Sequence, residues 1–290
     1  MRPSPDGRQI AYSRFGSDGA LVVRDLESGN TTQLTSDEFT FSQVWSPDGK
    51  RIAYGGQKGL KVVDIASKSS TVPKGTEGLP LTPLDWSHDG EFLLCGQNLD
   101  DSNASMVSLS LTDGELKTLV ASGWNRGRIQ NRYCTAVFSR DGRHIAYTAV
   151  ENGNQDVFVI AADGGGKHRI SDAPEADMYP LWSPAGDLLV YTGQDGVWGV
   201  RITDGRPESK PRLLRPGAFR KPGFPLGWTK EAGIFYIEYA KVLVLYSLPV
   251  DPQTGKARGA PDLLLGVPVG HAHRCAWSPD MKSIAFSQYS

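Results

Sequence analysis

Apolar and polar residues alternate along most of this chain in short runs, and turn residues separate the runs. The clearest unit is WSPDGKRIAY, from Trp45 to Tyr54. Trp45 lies before the turn, and Ile52 and Tyr54 follow it in alternation with small or polar residues, a period of two typical of strands with one better-buried face. In the turn itself, proline pre-sets φ at the second position, and glycine accepts the positive φ that follows a type I turn. The unit predicts a β-hairpin.

The same phrase occurs seven times, which sets the expected architecture. Equivalent turn positions are 41 to 52 residues apart, and the copies begin at Pro3, Trp45, Trp86, Phe138, Trp182, Trp228 and Trp277. A repeat of this length is typical of propeller blades or a solenoid. After each hairpin comes another β-rich run and then, past a polar turn, a fourth one, as in Leu21 to Leu26 and Thr32 to Thr35. The pattern predicts an all-β fold of four-stranded blades.

The number of blades has two solutions. Seven hairpins favour a β-propeller of seven blades, closed into one domain over residues 1–290. The last copy has room only for two strands and the first lacks most of its opening strand, so six blades with shared terminal strands are the alternative. Because the chain begins inside one phrase and ends just beyond another, we expect it to be trimmed from a longer precursor.

The phrase, followed by a strand and an Asp-Gly turn as in VFVIAADGGG from Val157 to Gly166, resembles the TolB-like propeller repeat. That repeat occurs in the periplasmic Tol-Pal protein, in propellers attached to prolyl oligopeptidase-type peptidases and in sensor domains of bacterial regulators. The resemblance covers essentially the whole chain. It implies a periplasmic or secreted interaction module, or the sensor or accessory propeller of a larger regulator or peptidase. The repeated residues build the blade and not a site.

The amino-acid composition limits the classes of partner that this chain is expected to bind. The chain has 31 Lys and Arg against 32 Asp and Glu, a formal net charge of -1, so no overall field favours nucleic acid or an anionic membrane. No apolar run is long enough for a membrane span, and we expect no membrane insertion. The cysteines Cys95, Cys134 and Cys275 lie in strand-like runs without metal-ligand spacing. They are interpreted as buried free thiols, with a disulfide pair or a reactive thiol as the alternative.

Functional residues are expected where the repeats differ, in the segments that lead into each first strand. In propellers these segments approach the mouth of the central channel. Counting back from the aromatic residue of each phrase collects Thr40 and Phe41, Thr82, Arg132 and Tyr133, Asp177 and Met178, Arg220 and Lys221, and His271 and His273.

Two histidines are the most specific candidates for a metal-binding or anion-binding site. His271 and His273 are two residues apart, so on a strand both imidazoles point to one face and can reach one metal ion or anion. The alternative is a pair of loop histidines. Lyases that cleave uronate polymers use propellers of similar repeat type with channel-mouth histidines, an arginine and a divalent metal. By that resemblance His271, His273 and Arg132 would form a lyase-like site.

An arginine-rich stretch is the second candidate. Residues 121–133 carry Trp124, Arg126, Arg128, Arg132 and Tyr133. Guanidinium binds carboxylates bidentately and indole stacks on apolar faces, so the stretch suits a carboxylate, a sugar or a peptide. The alternative is a solvated loop between blades. The arginine-rich stretch is too short a basic track to predict nucleic-acid binding.

Peptidase activity of this chain alone is not expected. The peptidase motif G-x-S-x-G is missing. Glu151 with Asp156 is interpreted as a solvated pair on the rim. The preferred function is a non-catalytic propeller that binds a protein, a peptide, a carbohydrate or an anionic small ligand at its channel mouth. The residues expected to bind it are Trp124, Arg126, Arg128, Arg132, Tyr133, Asp177, Arg220, Lys221, His271 and His273.

Overall fold

The structure is a computed structural model. It describes residues 2–6, 8–14, 19–25, 28–36, 40–56, 59–97, 104–121, 136–183, 185–216, 224–229, 233–239, 242–249, 251, 258–260, 262–268, 272–277 and 284–288. For the strands beyond residue 216 the description covers the backbone. Two compact units are present, residues 1–122 with 275–285 and residues 123–274 with 286–290.

The first unit contains three four-stranded antiparallel sheets. The first sheet is β1 (Arg2–Pro3), β2 (Gln9–Arg14), β3 (Ala20–Asp25) and β4 (Thr31–Gln33). The second is β5 (Thr40–Trp45), β6 (Arg51–Gly56), β7 (Gly59–Asp64) and β8 (Ser70–Thr71). The third is β9 (Leu81–Trp86), β10 (Phe92–Gln97), β11 (Ser105–Ser110) and β12 (Leu116–Val120).

The second unit continues the same pattern. Its first sheet is β13 (Ala136–Phe138), β14 (His144–Glu151), β15 (Asn154–Ala161) and β16 (His168–Arg169). The next is β17 (Met178–Trp182), β18 (Leu188–Gly193) and β19 (Gly196–Thr203), which pairs with both β20 (Arg206–Pro207) and β21 (Arg212–Pro216). The third is β22 (Phe224–Thr229), β23 (Gly233–Tyr239), β24 (Val242–Leu248) and β25 (Asp262–Pro268). Besides the sheets of the two units, β26 (Ala272–Trp277) pairs with β27 (Ile284–Gln288).

These sheets confirm the predicted all-β fold and the four-stranded blade. Consecutive strands are neighbours in these sheets, except that β21 pairs with β19 and not with β20, and the described residues include no helix. Accordingly, the described part of the chain holds no helix with the length and hydropathy to cross a membrane. Six sheets have at least four strands and one has two, so the number of blades stays a prediction.

The serine of the repeated phrase organises the predicted hairpin turn in five copies. Its Oγ accepts the backbone N–H five residues later at 2.9 to 3.1 Å in Ser4, Ser46, Ser87, Ser139 and Ser183. In the first four copies the same hydroxyl donates to the aspartate two residues later, at 2.5 to 2.6 Å. Where Ala185 replaces that aspartate, Ser183 donates to Asp187 at 3.1 Å. The turn glycine then has a φ of 69° to 81°, as at Gly49 and Gly186.

Aromatic and aliphatic residues of the phrases form the cores. In the first unit Trp45 packs with Ile52 and Tyr54 in one cluster, and Trp86 packs with residues of the second and third sheets in another. The Arg51 guanidinium lies 5.1 Å from the centre of the Trp86 ring, a cation–π contact. Cys95 is a buried free thiol, as predicted, and its burial raises its pKa.

A bulge recurs in the first strand of two sheets. Ser42 and Tyr179 lie three residues before Trp45 and Trp182, and both have a left-handed backbone, with φ of 52° and 59°. The pairing register shifts around each of them. For a residue other than glycine this conformation costs about 1 to 3 kcal/mol, and such strain clusters at functional positions. The bulges therefore direct attention to the segments that lead into these strands.

Candidate functional site

The described part of the predicted site is the segment that leads into β17. Asp177 stands five residues before Trp182, the repeat position that Thr40 occupies before Trp45. Both side chains are buried, with 2% of Asp177 and 1% of Thr40 exposed. Burying a carboxylate costs far more than burying a hydroxyl, so Asp177 needs a physical explanation that Thr40 does not.

The segment 171–177 is fixed to the start of β15. The Asp177 N–H donates to the Gln155 carbonyl at 2.8 Å. From the same end of β15, the Asn154 Nδ2 donates to the Ala173 carbonyl at 2.6 Å. These two bonds hold the segment at both its middle and its end, and they place the Asp177 side chain inside the protein.

The Asp177 carboxylate is only partly satisfied. Burial raises the pKa of Asp177 to about 6. Hydrogen bonds from the Ser171 hydroxyl and the Ala173 amide lower this pKa, while the charges of Asp156 and Asp172 raise it. The Oδ2 atom is buried and has no hydrogen-bond partner within the described part of the chain. One oxygen of this carboxylate is therefore an unused acceptor.

The neighbours of Asp177 combine free space for the carboxylate with half-buried large side chains. An ideal Cβ on Gly193 would lie 2.5 Å from the Asp177 Oδ1 and 3.1 Å from the Trp198 indole. Only glycine leaves room for the carboxylate at this point. Trp198 is half-buried, as are Met178 and the strained Tyr179 that follow Asp177 in the chain. Thus a buried acceptor lies near the partly accessible Trp198 indole, and Met178 and Tyr179 follow it in the chain.

A second carboxylate close by has a different environment. Asp156 is fully buried, and its Oδ2 lies 2.6 Å from the Arg169 Nη2. Its Oδ1 accepts from the Asn154 Nδ2 at 3.2 Å. Burial raises the pKa of Asp156, and the Arg169 guanidinium offsets part of that rise. The interpretation of Glu151 and Asp156 as a solvated pair is wrong, because Asp156 pairs with Arg169 and Glu151 with Lys167.

Buried hydroxyl groups also occur on the strands β14 and β18. Burial, and then the charges of nearby aspartates including Asp177, raise the pKa of Tyr191, which keeps its phenol protonated and able to donate. The Tyr147 hydroxyl and the Thr192 Oγ1 are buried without a hydrogen-bond partner. The Asp177 carboxylate, whose charge acts on the Tyr191 phenol, suits recognition of a hydrogen-bonding or cationic group. No group of three His, Cys, Asp or Glu residues able to hold a metal occurs among the described residues.

Most of the predicted site residues lie outside the part of the chain that the structure describes. They are Trp124, Arg126, Arg128, Arg132, Tyr133, Arg220, Lys221 and His271. His273 lies in β26. The arginine-rich stretch and the histidine pair, with the lyase-like site built on them, therefore stay predictions.

Sequence reasoning placed Asp177 by repeat position but missed its partners. Asp156 gave a signal, since a carboxylate inside the apolar run NQDVFVIA is costly unless it is paired. Its partner Arg169 is 13 residues away, and only the register of β15 and β16, in which Phe158 pairs with Arg169, brings the two together. The role of Gly193 depends on the same kind of tertiary proximity.

Comparison of its sequence with known proteins identifies relatives of this chain. No protein-family model matches the chain. An uncharacterized protein of Agrobacterium fabrum is 26% identical over 201 residues, which cover 66% of this chain and 64% of that protein. The Tol-Pal system protein TolB of Anaeromyxobacter dehalogenans is 25% identical over 60% of this chain and 29% of its own length. The chain thus spans less than two thirds of these relatives.

Solved structures extend the likeness in fold. TolB from Acinetobacter baumannii matches 85% of this chain and 62% of its own, with a TM-score of 0.59 and 17% identity. The oligogalacturonate lyase of Vibrio parahaemolyticus matches 99% of this chain and 84% of its own, with a TM-score of 0.67 and 13% identity. In sequence over part of its length and in fold over most of it, this chain resembles the TolB-like β-propeller proteins.

Proposed function

We propose that this chain is a non-catalytic propeller module that binds a protein, a peptide or a small ligand through the segments leading into its first strands. The observation that carries the proposal is the buried Asp177 carboxylate with an unpaired Oδ2. An unsatisfied buried acceptor lowers the stability of the fold, typically by about 1 to 3 kcal/mol. A ligand that supplies the missing donor would recover this energy on binding.

The chemistry around Asp177 favours a cationic group in the ligand. An ammonium or guanidinium group forms charge-assisted hydrogen bonds with a carboxylate and also binds aromatic faces. Met178, Tyr179 and Trp198 are half-buried and adjacent to the carboxylate in chain or space. A lysine or arginine side chain of a peptide is the occupant that uses both features.

The remaining parts of the proposal concern the whole protein. We place this module in a single seven-bladed domain, and resemblance to TolB-like proteins supports a periplasmic or secreted location and a protein partner. A propeller of this kind would also serve as the sensor or accessory part of a larger regulator or peptidase.

Selection of peptides from a displayed random library tests the proposal. The wild type is expected to select peptides that carry lysine or arginine. Asp177→Asn should bind those peptides at least tenfold more weakly, because it removes the charge while keeping the shape. Asp163→Asn is the matched control, since Asp163 is an exposed turn carboxylate whose Oδ1 accepts the Gly165 N–H at 2.9 Å.

A second variant separates charge from space. Gly193→Ala keeps the Asp177 charge but puts a Cβ where the carboxylate lies. It should weaken peptide binding as Asp177→Asn does, whereas Asp163→Asn should not. Selected peptides without cationic residues, or equal affinity for the wild type and Asp177→Asn, would contradict the proposal.

A further inference from the structure

The turn between β14 and β15 contains the one Asn-Gly pair of the sequence, Asn152 and Gly153. The flanking residues Glu151 and Asn154 pair with each other, so the connection has two residues. Asn152 has a φ of 52° and Gly153 a φ of 82°, as a type I′ hairpin turn requires at both positions. Both residues are exposed. The turn therefore presents the Asn152 amide and the Gly153 backbone to solvent.

The described structure does not restrain these two groups. Within the described residues, neither the Gly153 N–H nor the Asn152 side chain has a hydrogen-bond partner. An ideal Cβ on Gly153 would meet no atom beyond its chain neighbours within 4 Å, so the space beside this peptide nitrogen is open. Hydroxide can therefore reach the Gly153 N–H, and the Asn152 side chain can turn toward the nitrogen without losing a hydrogen bond.

The Asp-Gly turns of the chain are restrained in a way that this turn is not. In five of the described pairs the glycine N–H donates to a backbone carbonyl at 2.8 to 3.0 Å, namely at Gly49, Gly90, Gly114, Gly142 and Gly164. In the repeated phrase the aspartate is held as well, since the Ser46 hydroxyl and the Lys50 N–H both donate to Asp48. These hydrogen bonds must break before the nitrogen can react with the side chain, which raises the barrier. The Asn-Gly pair has no such protection within the described residues.

We propose that Asn152 is a site of spontaneous deamidation, with the Gly153 backbone nitrogen as the nucleophile. The deprotonated nitrogen attacks the Asn152 Cγ, the new N–C bond closes a succinimide ring, and the Cγ–Nδ2 bond breaks. The side-chain nitrogen leaves as ammonia and takes up, through solvent, the proton that Gly153 lost. Water then adds to one of the two ring carbonyls and breaks its bond to nitrogen, which gives aspartate or isoaspartate. Water is the only co-reactant.

The isoaspartate product alters the hairpin that holds the segment 171–177. Its main chain runs through the side-chain Cβ, so the turn gains a backbone atom as well as a negative charge. Because a two-residue turn fixes the register of its strands, the start of β15 shifts. The Asn154 Nδ2 donates to the Ala173 carbonyl from this start. The Gln155 carbonyl accepts the Asp177 N–H there. We expect both bonds to weaken in the isoaspartate form.

Incubation of the whole protein at pH 8, followed by peptide mapping with mass spectrometry, tests the site. A sample digested without incubation corrects for deamidation during digestion. The internal reference is Asn30, which is also exposed but precedes Thr31, whose branched side chain hinders attack by its nitrogen. Asn152 should gain the mass of the amide-to-acid conversion at least tenfold faster than Asn30. Equal rates at Asn152 and Asn30 would overturn the proposal.

Two variants test the chemical roles in the turn. Gly153→Ala should slow deamidation at Asn152 at least tenfold, because the methyl group hinders the nitrogen. Its positive φ makes this variant less stable, so thermal unfolding must show that it is folded at the incubation temperature. Asn152→Gln does not depend on that condition. It should abolish the mass change in this peptide, since its longer side chain closes a ring far more slowly. A mass change that persists in Asn152→Gln would place the reaction at another residue and overturn the proposal.

Hydrogen exchange at the Asp177 amide tests the consequence for the segment 171–177. Exchange should be faster in the isolated isoaspartate form than in the wild type, because the bond to the Gln155 carbonyl opens more often. Freshly prepared Asn152→Asp is the matched control, since it carries the same charge on a normal backbone and should exchange like the wild type. Equal exchange in the isoaspartate form and the wild type would overturn the link to the segment. None of these measurements uses peptide binding, so this proposal and the proposed binding at Asp177 fail independently.

Discussion

Thr40 and Asp177 occupy the same repeat position in different units, and their surroundings differ. The Thr40 hydroxyl donates to the Ser13 Oγ at 3.0 Å, and Ser13 donates back to the Thr40 carbonyl at 2.6 Å. The Gln43 amide also donates to Ser13. At Asp177, one carboxylate oxygen has no hydrogen-bond partner among the residues that the structure describes. Equivalent backbone positions therefore hold a closed hydrogen-bond network in one unit and an open one in the other.

The difference shows what a repeat determines and what it leaves free. The position five residues before the tryptophan is buried in both cases, so the repeat sets the burial. The side chain then decides whether the buried group is satisfied. A neutral hydroxyl can both donate and accept, whereas an ionised carboxylate can only accept. Asp177 therefore depends on donors that its surroundings supply incompletely.

The largest expected loss of stability comes from placing a carboxylate at position 40, where the buried Thr40 hydroxyl already has hydrogen-bond partners. Thr40→Asp should destabilise the protein by about 3 kcal/mol at pH 7, because it buries a carboxylate and removes the donor to Ser13. Urea unfolding measures the change. Thr40→Ser, which keeps the hydroxyl, is the control and should lose less than about 1 kcal/mol. A Thr40→Asp protein as stable as the wild type would contradict the difference that we infer between positions 40 and 177.

The next effect comes from removing the charge at Asp177. The folded-state pKa of about 6 lies above the ordinary aspartate pKa of 3.8, so folding favours the protonated form. Asp177 therefore lowers stability as pH rises from about 4 to 6, by up to about 3 kcal/mol. Asp177→Asn should recover about 2 kcal/mol of this at pH 7 and little at pH 4.

Urea unfolding of Asp177→Asn and the wild type at pH 4 and pH 7 measures that difference. Its dependence on pH is the diagnostic feature, because a purely steric effect of asparagine would be the same at both values. A difference in stability that does not change between pH 4 and pH 7 would show that Asp177 is not strained by its charge.

The smallest expected effect on stability concerns Asp141, a carboxylate whose pKa is lowered in the folded protein and not raised. Although burial raises the pKa of Asp141, hydrogen bonds from Ser139 and Arg143 lower it to about 2. Asp141 therefore stabilises the fold above about pH 4, and this contribution is lost as pH falls toward 2. Its side chain is 45% exposed, so solvent screening limits the gain to about 1 kcal/mol. Asp141→Ala should cost about that much at pH 6 and almost nothing at pH 2.

Thermal unfolding at the two pH values measures the effect of Asp141→Ala. Ala185, the natural counterpart of Asp141 in the next sheet, is the internal reference, and Ala185→Ser should have no such dependence on pH. If Asp141→Ala costs the same at pH 2 as at pH 6, its effect comes from turn geometry and not from the carboxylate charge.

The blade was predictable from sequence because its determinants are local. Ser46, Asp48 and Gly49 lie within four residues, so the hydrogen bonds and the positive φ of the turn can be inferred from the phrase itself. The period-two pattern then gives the flanking strands. The position of Asp177 also followed, since counting back from Trp182 needs only the repeat.

The environment of Asp177 was not predictable because it depends on distant residues. Gly193 is 16 positions away in the chain, and its missing Cβ matters only after β17 and β18 pair. The Asp156–Arg169 ion pair likewise needs the register of β15 and β16.

The turn at Ser183 has a consequence for how such repeats diverge. Its hydroxyl bonds Asp187, which follows Gly186, whereas the other turns use an aspartate that precedes the glycine. A copy with both carboxylates would offer two alternative acceptors for the single serine hydrogen, so either aspartate could be lost while the other keeps the bond. Evolution can thus carry the acid across the glycine through a neutral path, so one repeat can drift in sequence while its neighbours keep theirs.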